Sequence, residues 1–145
     1  DFVNTDGTPK GLIAFHSAHK LLIMSHNPAA LRVLGNIVAH QKEMTLEELF
    51  ANYISILMPA LTLRATVKKN VNVLQHCMGH FKKMLTRDEK KELGDIIEAY
   101  HRNLIPLIVP VTLIRHYTRK YDEPYLREQV YLDPHPLELM LRNHV

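Results

Sequence analysis

The sequence is poor in cysteine, glycine and tryptophan: of 145 residues, one is Cys77, five are glycines and none is tryptophan. A lone thiol excludes an internal disulfide, a self-contained iron–sulfur cluster and a multi-cysteine zinc site. A reducing, cytoplasmic compartment is therefore expected. No glycine-rich phosphate loop or dinucleotide fingerprint occurs, and Ser17, Ser25 and Ser55 lack any nucleophile-elbow context. No acid or base is arranged around Cys77 to make it a nucleophile. No catalytic residue and no cofactor is assigned. No signal peptide is recognisable, and the longest apolar run, Leu104 to Ile114, is interrupted by prolines. It falls well short of the roughly 20 residues that span a bilayer, so no membrane partner is expected.

Carboxylates are missing from two long stretches. Leu49 to Arg87 holds no Asp or Glu but carries Arg64, Lys68, Lys69, Lys82, Lys83 and Arg87. Ala99 to Tyr121 again lacks acids and carries Arg102, Arg115, Arg119 and Lys120. The acids collect at Glu43 to Glu48, Asp88 to Glu98 and Asp122 to Glu138, several of them at expected helix starts, where they complement the dipole. The net charge of +3 is too small to decide anything, so the information lies in this segregation.

What is present reads as helix. A hydrophobic fraction of 46% in 145 residues suits one domain with its own core. Residues 1–10 are polar and turn-rich and read as an N-terminal arm, with residues 11–145 forming a single helical domain. Gly11 to Ser25 is apolar nearly all round, hence a buried first helix. Its His16 and His19 are expected to be satisfied core groups, and His26 to meet the last carbonyls of that helix. Asn27-Pro28 caps a second helix, running to about His40. Thr45 with Glu48 is a capping box opening a third, which Pro59 should kink or break. Thr86 with Glu89 opens another, to about His101, and Pro106 starts one reaching Tyr121. Asp122 is expected to cap a short helix from Glu123 to Tyr131, followed by a rigid turn at residues 133–136 and a last apolar turn, Leu137 to Leu141. Nothing alternates with period two, so the expected fold is all-α, a bundle of six or seven helices with a central kinked or broken long helix.

The organising stretch is Arg64 to Leu85. At about 100° per residue, Val67, Val71, Val73, Leu74, Cys77, Met78, Phe81, Met84 and Leu85 share one half of a helix, with Asn70 the single polar intruder. Arg64, Lys68, Lys69, Asn72, Gln75, His76, Gly79, His80, Lys82 and Lys83 share the other. A solvated face usually mixes both signs, because Glu–Lys pairs one turn apart stabilise a helix. A face of one sign, with Asn, Gln and His among the cations, suits phosphate and RNA instead. Gly79 would let a backbone come close, or would serve close helix packing. His76 and His80 have the spacing of a metal-binding pair, but two imidazoles alone do not hold zinc, and a third ligand would have to come from His116 or His135. No metal is assigned, and the two are read as phosphate or base contacts. On the helix after Pro106, Arg115, His116, Arg119 and Lys120 gather opposite Leu107, Val111, Ile114 and Tyr117, and would extend the basic face if the two helices pack side by side.

Five segments, LIAFHSAHKLLIMSHNP (Leu12 to Pro28), Leu34-Gly35, NVLQHCMGHFKKML (Asn72 to Leu85), LIPLIVPVTLIRHY (Leu104 to Tyr117) and YLDPHPLELMLRNHV (Tyr131 to Val145), together resemble the YbgA-like family, an uncharacterised-domain family of bacteria. In that family the domain occurs alone or fused behind a cysteine-rich desulfidase domain that carries an iron–sulfur cluster. The fused proteins are thought to remove sulfur from thiolated uracil, including 4-thiouridine in tRNA. The resemblance therefore implies an RNA-binding accessory domain, with tRNA as partner and a separate desulfidase as a second partner, since Cys77 cannot supply a cluster. A metal-dependent nucleic-acid-modifying enzyme using His76 and His80, and a protein-docking module, are the alternatives. The sequence is mute on oligomeric state.

Overall fold

The computed structural model of the chain describes residues 8–133. Among them the fold is all-α: seven α-helices and two 3-10 turns, without a strand. The chain organises into two compact helical units, one ending at Arg64 and one beginning at Ala65. No single helix among the described residues is long and apolar enough to cross a membrane.

The first unit contains α1 (Pro9–His26), α2 (Pro28–Ala39) and α3 (Leu46–Thr62), each packed on the other two. Helix α1 begins two residues before the expected Gly11, because the Thr8 hydroxyl accepts the Gly11 amide at 3.0 Å and Pro9, whose missing N–H costs nothing there, takes the first position. Asn27 caps α2 through the Ala30 amide. Leu12, Ile23, Leu34, Leu49, Tyr53 and Leu57 form the core, with Phe15, Leu31, Ile37 and Phe50 packed against it. His16 and His19 are buried, as their apolar setting implied. His16 Nδ1 shares a 2.8 Å hydrogen bond with the Tyr53 hydroxyl, tying α1 to α3, while His19 Nδ1 meets the Phe15 carbonyl at 2.8 Å. His26 differs from expectation: its Nδ1 lies 2.7 Å from the carbonyl of Leu63, just beyond α3, and so binds the end of another helix.

The capping box that opens α3 is complete, with Thr45 Oγ1 accepting the Glu48 amide and Glu48 Oε1 accepting the Thr45 amide. The Thr45 amide, and after it the Thr45 hydroxyl, hold the Glu48 carboxyl below the usual carboxylate range. Pro59 lies inside α3, which runs on to Thr62; the expected break comes after it, and helix resumes only at Val67.

The second unit holds α4 (Val67–His80), α5 (Arg87–His101), α6 (Ile108–Lys120), the four-residue α7 (Pro124–Arg127) and a 3-10 turn at Val130–Leu132. Helices α4, α5 and α6 pack on one another, and α7 and the 3-10 turn pack on α6. Val71, Val73, Leu74, Cys77, Phe81, Leu93, Ile97, Leu107, Val111, Ile114 and Tyr117 are all buried, and Phe81 meets Tyr117 edge to face. The intruder Asn70 is buried too, and accepts the Tyr131 hydroxyl at 2.7 Å.

Two left-handed residues set the chain's direction in this unit. Asn103 (φ 61°) ends α5, with the Leu104 amide bonded to the Ala99 carbonyl; Asp122 (φ 50°) ends α6, with the Glu123 amide bonded to that of Thr118. Both are Schellman closures, and Asn and Asp tolerate that backbone better than most residues. Asp122 is thus the terminator of α6 and not the expected cap of the next helix. Glu123 caps α7, accepting the Leu126 amide at 2.6 Å, and α7 ends at Arg127 well before Tyr131. The expected final turn at Leu137 to Leu141 lies outside the described residues, as does most of the turn at 133–136.

Candidate nucleic-acid interface

Thr66 starts α4 by accepting the Lys69 amide, and the burial of Val71, Leu74 and Cys77 then fixes which side faces out. Lys68, Gln75, His76, Gly79 and His80 are exposed, and Lys69 and Asn72 half-buried. Lys82 and Lys83 are exposed but lie beyond the helix, in the turn after the cap residue Phe81. Met84, assigned to the apolar side, is 37% exposed. Arg64 is exposed at the end of the first unit and is not placed relative to this surface. Lys68, Lys82 and Lys83 make no ion pair with any described residue.

Among the described residues nothing requires Gly79 to be glycine. A Cβ built there meets nothing within 4 Å, so close packing inside the protein does not require it. Glycine within a helix costs roughly 1 kcal/mol relative to alanine. Gly79 is exposed, on the polar side of α4.

The two histidines have different settings. His76 projects from the exposed side of α4. His80 stacks on Tyr125 of α7 (centroids 4.5 Å apart, planes 14° apart), and its Nδ1 lies 3.5 Å from the buried Glu123 carboxylate. That positions the ring with one face covered. Among the described residues no three His, Cys, Asp or Glu side chains gather in a metal-holding group. Cys77 is fully buried, and desolvation, with Glu123 nearby, pushes its thiol up to about 12. It is not a thiolate at neutral pH.

The α6 cations are not all turned to solvent alone. Lys120 donates to Glu89 Oε2 at 2.8 Å, and Tyr121 donates to Oε1 of the same carboxylate, which also accepts the Thr86 amide as part of the capping box opening α5. Bonds from Lys120, Tyr121 and Thr86, in that order, hold the Glu89 carboxyl down at about 2. Lys120 is therefore answered by an acid from a distant segment. Arg115 pairs with Asp133 at 3.3 Å, and His116 is exposed beside Tyr117. Arg119 is exposed, and together Arg115 and Arg119 line a cleft with Arg127 of α7.

Sequence reasoning missed Glu123 and Arg127. The short α7 carries no period long enough to show a face, and only the Asp122-Glu123-Pro124 run marks a change of direction there.

Comparison with known proteins bears on most of the chain. A family model described as "Protein of unknown function (DUF1722)" matches residues 20–136. The chain is similar to "Uncharacterized protein YbgA" of Escherichia coli (strain K12), 30% identical over 138 residues that cover 94% of this chain and 81% of that protein. No solved structure matches.

Proposed function

We propose that this chain, which belongs to the YbgA-like DUF1722 family, is an RNA-binding helical module with tRNA as its RNA. In this reading it is the recognition half of a thiouridine-desulfurating system whose cluster resides on another domain or protein. The observation that carries the RNA reading is the outer side of α4 with the turn after it. Lys68, Lys82 and Lys83 are exposed there without carboxylate partners among the described residues, beside Asn72, Gln75 and His76. Lysines supply phosphate contacts, while the amides and the imidazole supply the donors and acceptors that distinguish bases and 2′-hydroxyls. The open space at Gly79 supports approach of a backbone to this side.

The test is a salt titration of binding to tRNA and to duplex DNA of matched charge. About four to six phosphate contacts predict a log–log slope near −3 to −5 for tRNA. Tighter binding to tRNA than to the duplex supports RNA recognition. Equal binding indicates general polyanion affinity, and no binding at moderate salt rejects the reading.

A second reading has its own observation. On α3, Ile54 (39% exposed) and Met58 (57% exposed) stand one turn apart on the outer side, which favours protein docking through the first unit. An oligomer or complex that persists at high salt and is lost in Met58→Lys supports it.

A further inference from the structure

We propose that the cleft between the end of α6, α7 and the 3-10 turn after it binds a phosphomonoester, as found at the end of an RNA chain or in a free mononucleotide. The cleft has a volume of about 180 Å³, more than ten times the roughly 10–15 Å³ that one water needs. Among the described residues three arginines, Arg115, Arg119 and Arg127, line it against one acidic residue, Asp133. Arg115 and Arg119 are one turn apart on α6, where like charges repel, so their convergence on one space costs stability unless an anion occupies it.

The carboxylates at the rim do not settle that charge. Asp133 pairs with Arg115 but its side chain is 81% exposed, and Asp122 pairs with Arg127 with its side chain 75% exposed. Such water-facing pairs are weak and exchangeable. Arg119 makes no ion pair with any described residue. The end of α6 contributes about half a negative charge, less than the excess of guanidinium over carboxylate in the cleft.

The donor set selects phosphate over carboxylate. Each guanidinium offers a planar fork that grips two oxygens, and three forks from two elements match a tetrahedral dianion with three terminal oxygens better than a planar monoanion with two. The buried Leu126 and Leu132 give the cleft an apolar wall against which a sugar or base can lie. Thr118 is held in place by donating to the Ile114 carbonyl at 2.7 Å.

This inference deepens the RNA reading for Arg115 and Arg119 and rests on it only for the source of the phosphate. Its test uses the full chain, titrated calorimetrically at low salt with AMP, inorganic phosphate and acetate. A parallel titration uses one RNA oligomer with and without a 5′-phosphate. Saturable one-to-one binding of AMP, no response to acetate, and a loss of about ten- to a hundredfold in Arg119→Gln and Arg127→Gln are expected. Lys42→Ala, an exposed lysine of the first unit, should bind AMP as the parent does, and circular dichroism should show every variant folded. Preference for the phosphorylated oligomer assigns the phosphate to RNA, whereas equal binding of the two oligomers assigns it to a mononucleotide, and either supports the pocket. Absence of saturable AMP and phosphate binding, an equal response to acetate, or full affinity in folded Arg119→Gln overturns it. None of those three results touches the tRNA titration, which reads Lys68, Lys82 and Lys83.

Discussion

His16 is surrounded by the core of the first unit, 5% exposed and bonded to Tyr53. Burial, and then the charge of Lys20, lower its pKa from 6.5 to about 4. The folded chain therefore keeps the imidazole neutral where the unfolded chain would protonate it. Above pH 6.5 both states are neutral and nothing is lost. As pH falls from 6.5 to 4 the unfolded state gains the proton first, and stability drops by about 3 kcal/mol at most. Urea unfolding followed between pH 7 and 4 should show that loss. His16→Gln, which keeps a partner for the Tyr53 hydroxyl, should flatten the pH dependence across this window even if it lowers stability throughout. That the histidine is interior was legible from the apolar residues around it. Its partner was not, because Tyr53 lies 37 positions away and only packing brings them together.

At the scale of elements, local signals survived folding best. The capping boxes at Thr45 and Thr86 were readable because both partners lie within four residues, and α5 spans Arg87–His101 as expected. The helix ends at His101 and Lys120 also fall within a residue of expectation, but the left-handed residues that close them were not readable, since neither Asn103 nor Asp122 is a glycine to announce the turn. Glu89 shows how a local signal acquires a second role: it caps α5 and also holds Lys120 and Tyr121 of the α6 end. Its folded pKa of about 2 lies below the ordinary 4.5. The contribution of its charge is thus complete above 4.5 and is lost as pH falls from 4.5 toward 2. Glu89→Gln retains the capping geometry, which glutamine also satisfies. The variant should show a smaller loss of stability than the parent between pH 4.5 and 2, measured by thermal unfolding followed by circular dichroism.

At the scale of the whole molecule, charge segregation along the sequence became segregation in space only in part. Lys68, Lys82 and Lys83 remained without carboxylate partners among the described residues, whereas Glu89 and Glu92 of α5 hold Lys120, Tyr121 and Tyr117. The sequence could show which stretches lack acids but not which cations a distant acid would reach. That division predicts unequal contributions to polyanion binding. Each lysine that contacts a phosphate adds roughly 0.7–0.9 to the magnitude of the log–log salt slope. Lys68→Ala, Lys82→Ala and Lys83→Ala should each lower the tRNA slope by about that amount, and the triple variant by about 2–2.7. Lys120→Ala should change the slope little, because its charge is already matched by Glu89, whereas Glu89→Gln should raise the slope by releasing Lys120. A slope unchanged in the triple variant, or lowered as much by Lys120→Ala as by Lys82→Ala, would place the binding surface elsewhere than the outer side of α4.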